Sequence, residues 1–307
     1  MIEFHTPELN DKPWVDKLLA QGEAWGCEYS FTNLYTWQKT YQFQIAPVEG
    51  HLGVRLWGGL GHSYLYPAGS GSIEAAIAAL GRDAAERGED FRMVCLSGEQ
   101  REDLERRFPG GFDFVADRDS FDYLYDIQRL ADLPGKKLHN KRNHISALER
   151  QFPGWTFEEI TPACLEECLR MDEEWRRRSQ GREGAEGELT LDSEDAALHT
   201  AIEHFQALGL EGGLIRVYGE VVAFTMGEPL NPWCYDVRFE KAYNELRGAY
   251  PLINREFARW VRKKHPDIQF LNREDDMGVP GLRKAKESYY PDRMVENHSA
   301  IQRKPLF

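Results

Sequence analysis

The sequence predicts an α+β protein, α/β-like in its alternation, made of two tandem units in which a mixed sheet is flanked by helices. Two observations predict this. The first is internal repetition, which organises any chain that has it. Gly71–Asp90 (GSIEAAIAALGRDAAERGED) and Gly248–Asp267 (GAYPLINREFARWVRKKHPD) each open with Gly and place apolar residues at helical spacing. These are Ile73, Ile77, Leu80 and Ala84 in one, and Leu252, Ile253, Phe257, Trp260 and Val261 in the other. The second is the order of periodicities. Each copy reads strand, turn, strand, strand, helix, strand, helix, strand, so a meander is joined to a crossover helix and the sheet must be mixed. A chain of 307 residues suits two domains, expected at 1–130 and 131–307.

The elements follow in order. IAPVEGHLGVRLW and IRVYGEVVAFTM each read as two strands around a tight turn, at Gly50 and Gly219. In the first copy YLYPAGSG leads into the helix, FRMVCL from Phe91 is a strand, and SGEQREDLERRFP is a helix stopped at Pro109. In the second copy WCYDV, Trp233 to Val237, passes through RFEKAYNELRG to the helix at Gly248, and IQFL from Ile268 is the strand. NREDDMGVPGLRKAKESYYP then gives the last helix. Both copies close with Asp-Arg, a short strand and Ile-Gln-Arg, at Asp117 to Arg129 and Asp292 to Arg303. Between the copies, Leu133–Phe152 reads as a basic helix and GWTFEEI as a strand. From Thr161 an amphipathic helix is expected, with Leu165, Leu169 and Trp175 on one side, Thr161 as N-cap and Pro162 at N1. The Gly- and Glu-rich stretch from Gly181 reads as a mobile loop, followed by a helix capped at Asp192 or Ser193.

Composition excludes several classes. Asp and Glu outnumber Lys and Arg 51 to 38, a net charge of −13, which argues against broad DNA binding. No apolar run is long enough to cross a membrane and the N-terminus has no leader pattern, so a cytoplasmic protein is expected. The five cysteines form no CxxC and read as reduced thiols. Cys164 and Cys168 share a helical face, but no His or further Cys is near enough in sequence to complete a site, so no metal is expected. There is no HExxH, GxSxG or P-loop.

The order β-turn-β, third strand, Gly loop and helix resembles the acyl-CoA N-acyltransferase (GNAT-like) fold. Its pyrophosphate loop follows a Q/R-x-x-G-x-G/A pattern. Asn244, Arg247, Gly248 and Ala249 depart from it. Three segments, LPGKKLHNKRNHISALE, YNELRGAYPLINREFARW and FLNREDDMGVPGLRKAKESYYP, together resemble the phosphatidylglycerol lysyltransferase C-terminal domain family. That resemblance implies two acyltransferase-like domains in tandem, related to the Fem peptidyl transferases. It also implies transfer of an amino acid from aminoacyl-tRNA to a lipid headgroup or peptidoglycan precursor. Lipid-modifying relatives carry a multi-span membrane domain, for which this sequence has no segment.

Several residues carry candidate chemistry. Lys136, Lys137, Asn140, Lys141 and Arg142 form a basic cluster suited to phosphate, of tRNA, a nucleotide or a headgroup, or simply to solvent. Asn254 and Glu256 follow the Gly turn, and Glu256 can take a proton from an amine or bind an α-ammonium. Asp236 ends a strand, and Asn272, Glu274 and Asp275 lie beyond another, where ligands of α/β sheets commonly bind. Arg283 and Lys286 can stabilise an oxyanion. Tyr289 can protonate a leaving group, as the acyltransferase resemblance implies. The candidate catalytic residues are thus Glu256, Asp275 and Tyr289, with the others binding substrate. Three readings stay open: aminoacyl or acyl transfer to an amine or hydroxyl, an acyl-CoA-dependent N-acetyltransferase, and a binding or regulatory module that keeps the fold without the chemistry. The donor is accordingly an aminoacyl-tRNA or an acyl-CoA, and the acceptor a small molecule or lipid headgroup.

Overall fold

A computed structural model describes residues 1–179, 185–303 and 306. It divides into two units. Unit 1 holds Met1–Asp122, Asp275–Gly278 and Met294–Phe307, and unit 2 holds Tyr123–Glu274 and Val279–Arg293.

Unit 1 begins with α1 (Lys12–Gly22), α2 (Phe31–Thr36) and α3 (Gln38–Tyr41). The strands β1 (Gln44–Val48), β2 (His51–Gly58), β3 (Gly61–Leu65) and β4 (Ala68–Gly69) precede α4 (Ile73–Glu86), β5 (Arg92–Leu96), α5 (Gly98–Arg107) and β6 (Phe112–Ala116). Ser72 caps α4 by accepting from Ala75 N, and its predicted face (Ile77, Leu80, Ala84) is buried. Ser97 and Gln100 form a capping box that starts α5 directly after β5.

Unit 2 takes β7 (Asp122–Asp126), α6 (Ile127–Asp132), α7 (His139–Gln151), β8 (Thr156–Glu159), α8 (Leu165–Ser179), α9 (Ala185–Glu203) and α10 (Phe205–Leu208). The strands β9 (Glu211–Val217), β10 (Glu220–Asn231) and β11 (Cys234–Ala242) lead to α11 (Ala249–Lys264), β12 (Phe270–Asn272) and α12 (Pro280–Glu287). The chain ends with β13 (Arg293–Val295) and β14 (His298–Gln302).

The two sheets have matching plans. Unit 1 orders its strands β1-β2-β3-β5-β14-β6, and the second sheet orders β13-β7-β12-β11-β10-β9-β8. In each, a meander ends in one parallel pair, β3 with β5 and β11 with β12. The next position is filled by an antiparallel strand from the other repeat. Thus β14 pairs with both β5 and β6, with His298 opposite Leu96 and Ala116. Correspondingly β7 pairs with β12, with Tyr125 opposite Leu271. The mixed α+β class and the repeat read from the sequence are therefore observed, with the closing strands exchanged.

Local readings change in four places. The first repeat has two more strands than expected, β4 and β6, and the second has one, β13; all are short segments that find pairing partners only in the folded sheet. The basic helix starts at His139 rather than Leu133, because Leu133 and Gly135 adopt positive φ (47° and 75°) around Pro134. Lys136 and Lys137 therefore lie in the turn before α7. The buried face of α8 is Cys168, Met171 and Asp172, while Leu165 and Leu169 are half-buried. Lastly, α9 is helical from Ala185, upstream of the expected cap at Asp192 or Ser193. The remainder of the expected loop, Gly181 to Gly184, lies outside the described residues.

Gly248 shows how tightly unit 2 is packed. It caps α11 at φ 108°, and a Cβ there would collide with the His144 carbonyl of α7. The sequence-predicted Gly turn is thus demanded twice, by dihedral and by space. Gly248→Ala is expected to cost about 1–3 kcal/mol in chemical denaturation. A loss under half a kcal/mol would show that α7 yields.

Candidate functional site

In unit 2, β7, β11, α7, α11 and the segments after β12 and α12 bring six polar or aromatic residues together. Arg273, just after β12, reaches Glu240 of β11, with Nη2 2.7 Å from Oε1. The other Glu240 oxygen accepts from Asn254 Nδ2 of α11 at 3.5 Å. The Arg273 guanidinium lies over the rings of Tyr289 (5.0 Å) and Tyr125 (5.7 Å). Lys141 of α7 places Nζ 3.8 Å from the Tyr289 ring centre. Burial, then the nearby Arg273, lowers the Lys141 amine to about 8, against the opposing pull of Glu240. Burial raises the Tyr289 phenol, although Arg273 pulls the other way, so it is a neutral O–H at neutral pH. Arg273 Nη1 and Asn254 Oδ1 are buried and have no hydrogen-bond partner among the described residues. A donor and an acceptor left so are costly and suit a polar ligand.

Other predicted residues have different surroundings. Asp236, fully buried, lies 2.9 Å from Arg238, which also meets Glu274 (3.2 Å) and Glu228 (3.3 Å). Asn272 Oδ1 accepts from Glu274 N at 2.7 Å, and Lys286 Nζ donates to the Arg273 carbonyl at 2.5 Å. These four therefore brace the loop that presents Arg273. Glu256 sits in ion pairs with Arg255 (2.6 Å) and Arg259 (3.0 Å) on α11. Arg142 donates to the carbonyls of Leu133 and Gly135 and so closes the turn before α7. Lys136 and Lys137 are exposed and line a hollow of about 170 Å³ with Arg129, Leu138, Tyr289 and Tyr290. Asn140 is exposed on the first turn of α7, and Arg283 is half-buried on α12.

Asp275 belongs to unit 1, where the structure reveals a second set of residues. Between α1 and α2, Glu28 and Tyr29 line a small cavity of about 70 Å³, with Cys27 buried beside them. Ser30 fixes the segment by capping α2, accepting from Asn33 N at 3.0 Å. Opposite stand Cys95, held at φ 57° where β5 ends, and Asp122, which is buried. Asn297 Nδ2 donates to Glu28 Oε1 at 3.1 Å, and Cys27 N donates to Asp122 Oδ2 at 2.8 Å. Burial first, and then the charges of Asp122 and Asp275, lift the Glu28 carboxyl to about 8. Glu28 therefore carries a proton at pH 7, because three carboxyl groups share one dry neighbourhood. Glu23, Glu99 and Glu296 add further carboxylates to the wall, and no Lys, Arg or His is among the described residues lining it. The sequence signal for Glu28 was weak: one acidic residue inside a run of aromatic and apolar ones, CEYSFTNLYTW. Only the fold brings it to Asp122 and Asp275.

Comparisons with known proteins agree with this architecture. A solved protein of unknown function from Bacteroides thetaiotaomicron VPI-5482 shares 36% identity, with a TM-score of 0.91, over 99% of this chain and 100% of that one. The C-terminal domain of a lysylphosphatidylglycerol synthetase homologue from Agrobacterium fabrum shares the fold, at 14% identity and a TM-score of 0.65 over 96% of this chain and 92% of that one. An uncharacterized protein of Mycoplasmoides gallisepticum is 23% identical over 181 residues, 58% of this chain. The match spans about half the length of that relative, 55%. The family model described as phosphatidylglycerol lysyltransferase, C-terminal, matches residues 19–301. With nearly the whole chain inside that match, this protein belongs to the phosphatidylglycerol lysyltransferase C-terminal family.

Proposed function

We propose that this chain is an aminoacyltransferase that moves an aminoacyl group from aminoacyl-tRNA to an amine or hydroxyl acceptor. The observation that carries this reading is the unit 1 cavity, walled by carboxylates and lacking any basic side chain among the described residues. An aminoacyl ester presents an ammonium group beside its reactive carbonyl. Glu28, Asp122 and Asp275 suit that ammonium, and Glu28 gives up its proton when the cation enters. In the reaction a bond forms between the acceptor nitrogen or oxygen and the carbonyl carbon. The ester C–O bond breaks, and the acceptor's proton passes to the departing ribose hydroxyl. Unit 2 supports the reading separately. Lys136, Lys137, Lys141 and Arg142 supply cations for donor phosphates, and Arg273 Nη1 is a buried donor with no partner among the described residues. Family membership agrees with both.

An acyl-CoA donor is disfavoured by a specific observation. At the N-terminus of α11, where the acyltransferase fold would seat a pyrophosphate, the His144 carbonyl is packed against Gly248. A main-chain carbonyl beside that helix start disfavours an anion there.

Three outcomes test the proposal. Aminoacyl-tRNA is expected to raise the melting midpoint more than uncharged tRNA, and acetyl-CoA to leave it unchanged. Glu28→Gln and Asp122→Asn should erase the difference between charged and uncharged tRNA, and a difference that persists sinks the ammonium role. Alanine at Lys136, Lys137, Lys141 and Arg142 together should weaken both tRNA forms and flatten the salt dependence by about 0.7 per lost contact. An unchanged slope removes the phosphate role.

Glu28 also makes a stability prediction. Its folded pKa of about 8 lies above the ordinary carboxylate value, so the native state holds a proton that the unfolded state has lost. Stability must therefore fall as pH rises from about 4.5 to about 8. Glu28→Gln should remove that loss, and thermal melts at pH 5 and pH 9 should show a smaller drop than in the parent protein.

A further inference from the structure

We propose that Cys27, Glu28 and Asp122 form a binding site for a thiophilic divalent cation of the Zn²⁺ class. The Cys27 Sγ and one carboxylate oxygen from each of Glu28 and Asp122 lie within 4.8 Å of one another. Around tetrahedral zinc, with bonds of about 2.3 Å to sulfur and about 2.0–2.2 Å to oxygen, ligand atoms sit roughly 3.3–3.8 Å apart. Side-chain adjustments of about an ångström therefore bring all three to bonding distance. The set is partly preorganised, since Cys27 N holds Asp122 and Asn297 holds Glu28.

A second feature points to a cation independently of spacing. The cavity is lined by Glu23, Glu28, Glu99, Asp122 and Glu296, with no Lys, Arg or His among its described lining residues. Glu28 and Asp122 face this volume of about 70 Å³, so water can reach the metal from the carboxylate side, opposite Cys27, as a fourth ligand. One thiolate with two carboxylates favours Zn²⁺ or Co²⁺ over Mg²⁺ and Ca²⁺, which take oxygen ligands. Binding breaks the Cys27 S–H bond and the Glu28 O–H bond, forms the metal bonds in their place, and releases both protons to solvent. Asp122 lies 95 positions beyond Cys27, so no motif in the sequence announces the set.

This inference does not rest on the aminoacyl reading and competes with it, because a metal and an ammonium group cannot both occupy Glu28 and Asp122. The test is a titration of Co²⁺ alone into the reduced full-length chain, without any substrate. One equivalent is expected to give a thiolate-to-cobalt charge-transfer band and the d–d absorption of a tetrahedral site. Cys27→Ser should abolish the charge-transfer band. Glu28→Gln, at a half-buried wall position, should weaken binding at least tenfold while circular dichroism shows the fold retained. Cys95→Ser and the Cys164→Ser, Cys168→Ser double variant should keep the band. Absence of the band at one equivalent, or its survival in Cys27→Ser, overturns the proposal. Neither result touches the tRNA melting comparison, so the two readings fail separately.

Discussion

Each sheet depends on one strand that its own repeat does not provide. A strand next to a parallel pair must satisfy a full row of backbone N–H and C=O groups. In unit 1, β14 serves β5 on one side and β6 on the other. In the second sheet, β7 serves β12. The chain must therefore leave one sheet for the other near Asp122 and near Asn297. Those crossing points supply much of the unit 1 cavity. Asp122 opens β7, Asn297 precedes β14, and Asp275 lies in the short return segment Asp275–Gly278. A pairing requirement of the backbone thus gathers the carboxyl groups that give the cavity its character.

The two units answer charge in opposite ways. In unit 1 the congestion of Glu28, Asp122 and Asp275 is relieved by a proton on Glu28. In unit 2 Arg273 is paired with Glu240 and lies beside the rings of Tyr289 and Tyr125, and burial lowers the amine of Lys141 next to it. The unit 1 cavity is thus walled by carboxylates, while the unit 2 cluster is built around a paired guanidinium. Beneath the cluster, Arg238 ties together Asp236, Glu228 and Glu274 out of water. Such a buried network is a rigid platform whose worth is geometric more than energetic.

Family membership sets the chemistry to consider without choosing the partners. The His144 carbonyl of α7 packs against Gly248 at the start of α11. The same helix carries Lys141 into the aromatic cluster.

Much of the fold was legible because it is local. Helical spacing in α4 and α11, the Ser72 cap, and the Gly turns at Gly50, Gly219 and Gly248 are dictated by side-chain period and backbone freedom. The repeat made the mixed sheets predictable, and Tyr289, Lys141 and Asn254, candidates from motif and position, fall in one cluster around Arg273 and Glu240. What the sequence did not reveal is non-local. It placed Asp236, Asn272 and Glu274 near a ligand site, but only packing shows them bracing it through Arg238 and the loop. Glu28 and Asp122 are separated by more than ninety residues, and only the strand exchange brings their carboxyls together. Sequence by itself determined which segments form helices and strands, because those choices are settled within a few residues. Tertiary structure decided which carboxylates meet and which protons they hold, because burial and like-charge proximity exist only once the sheets are closed.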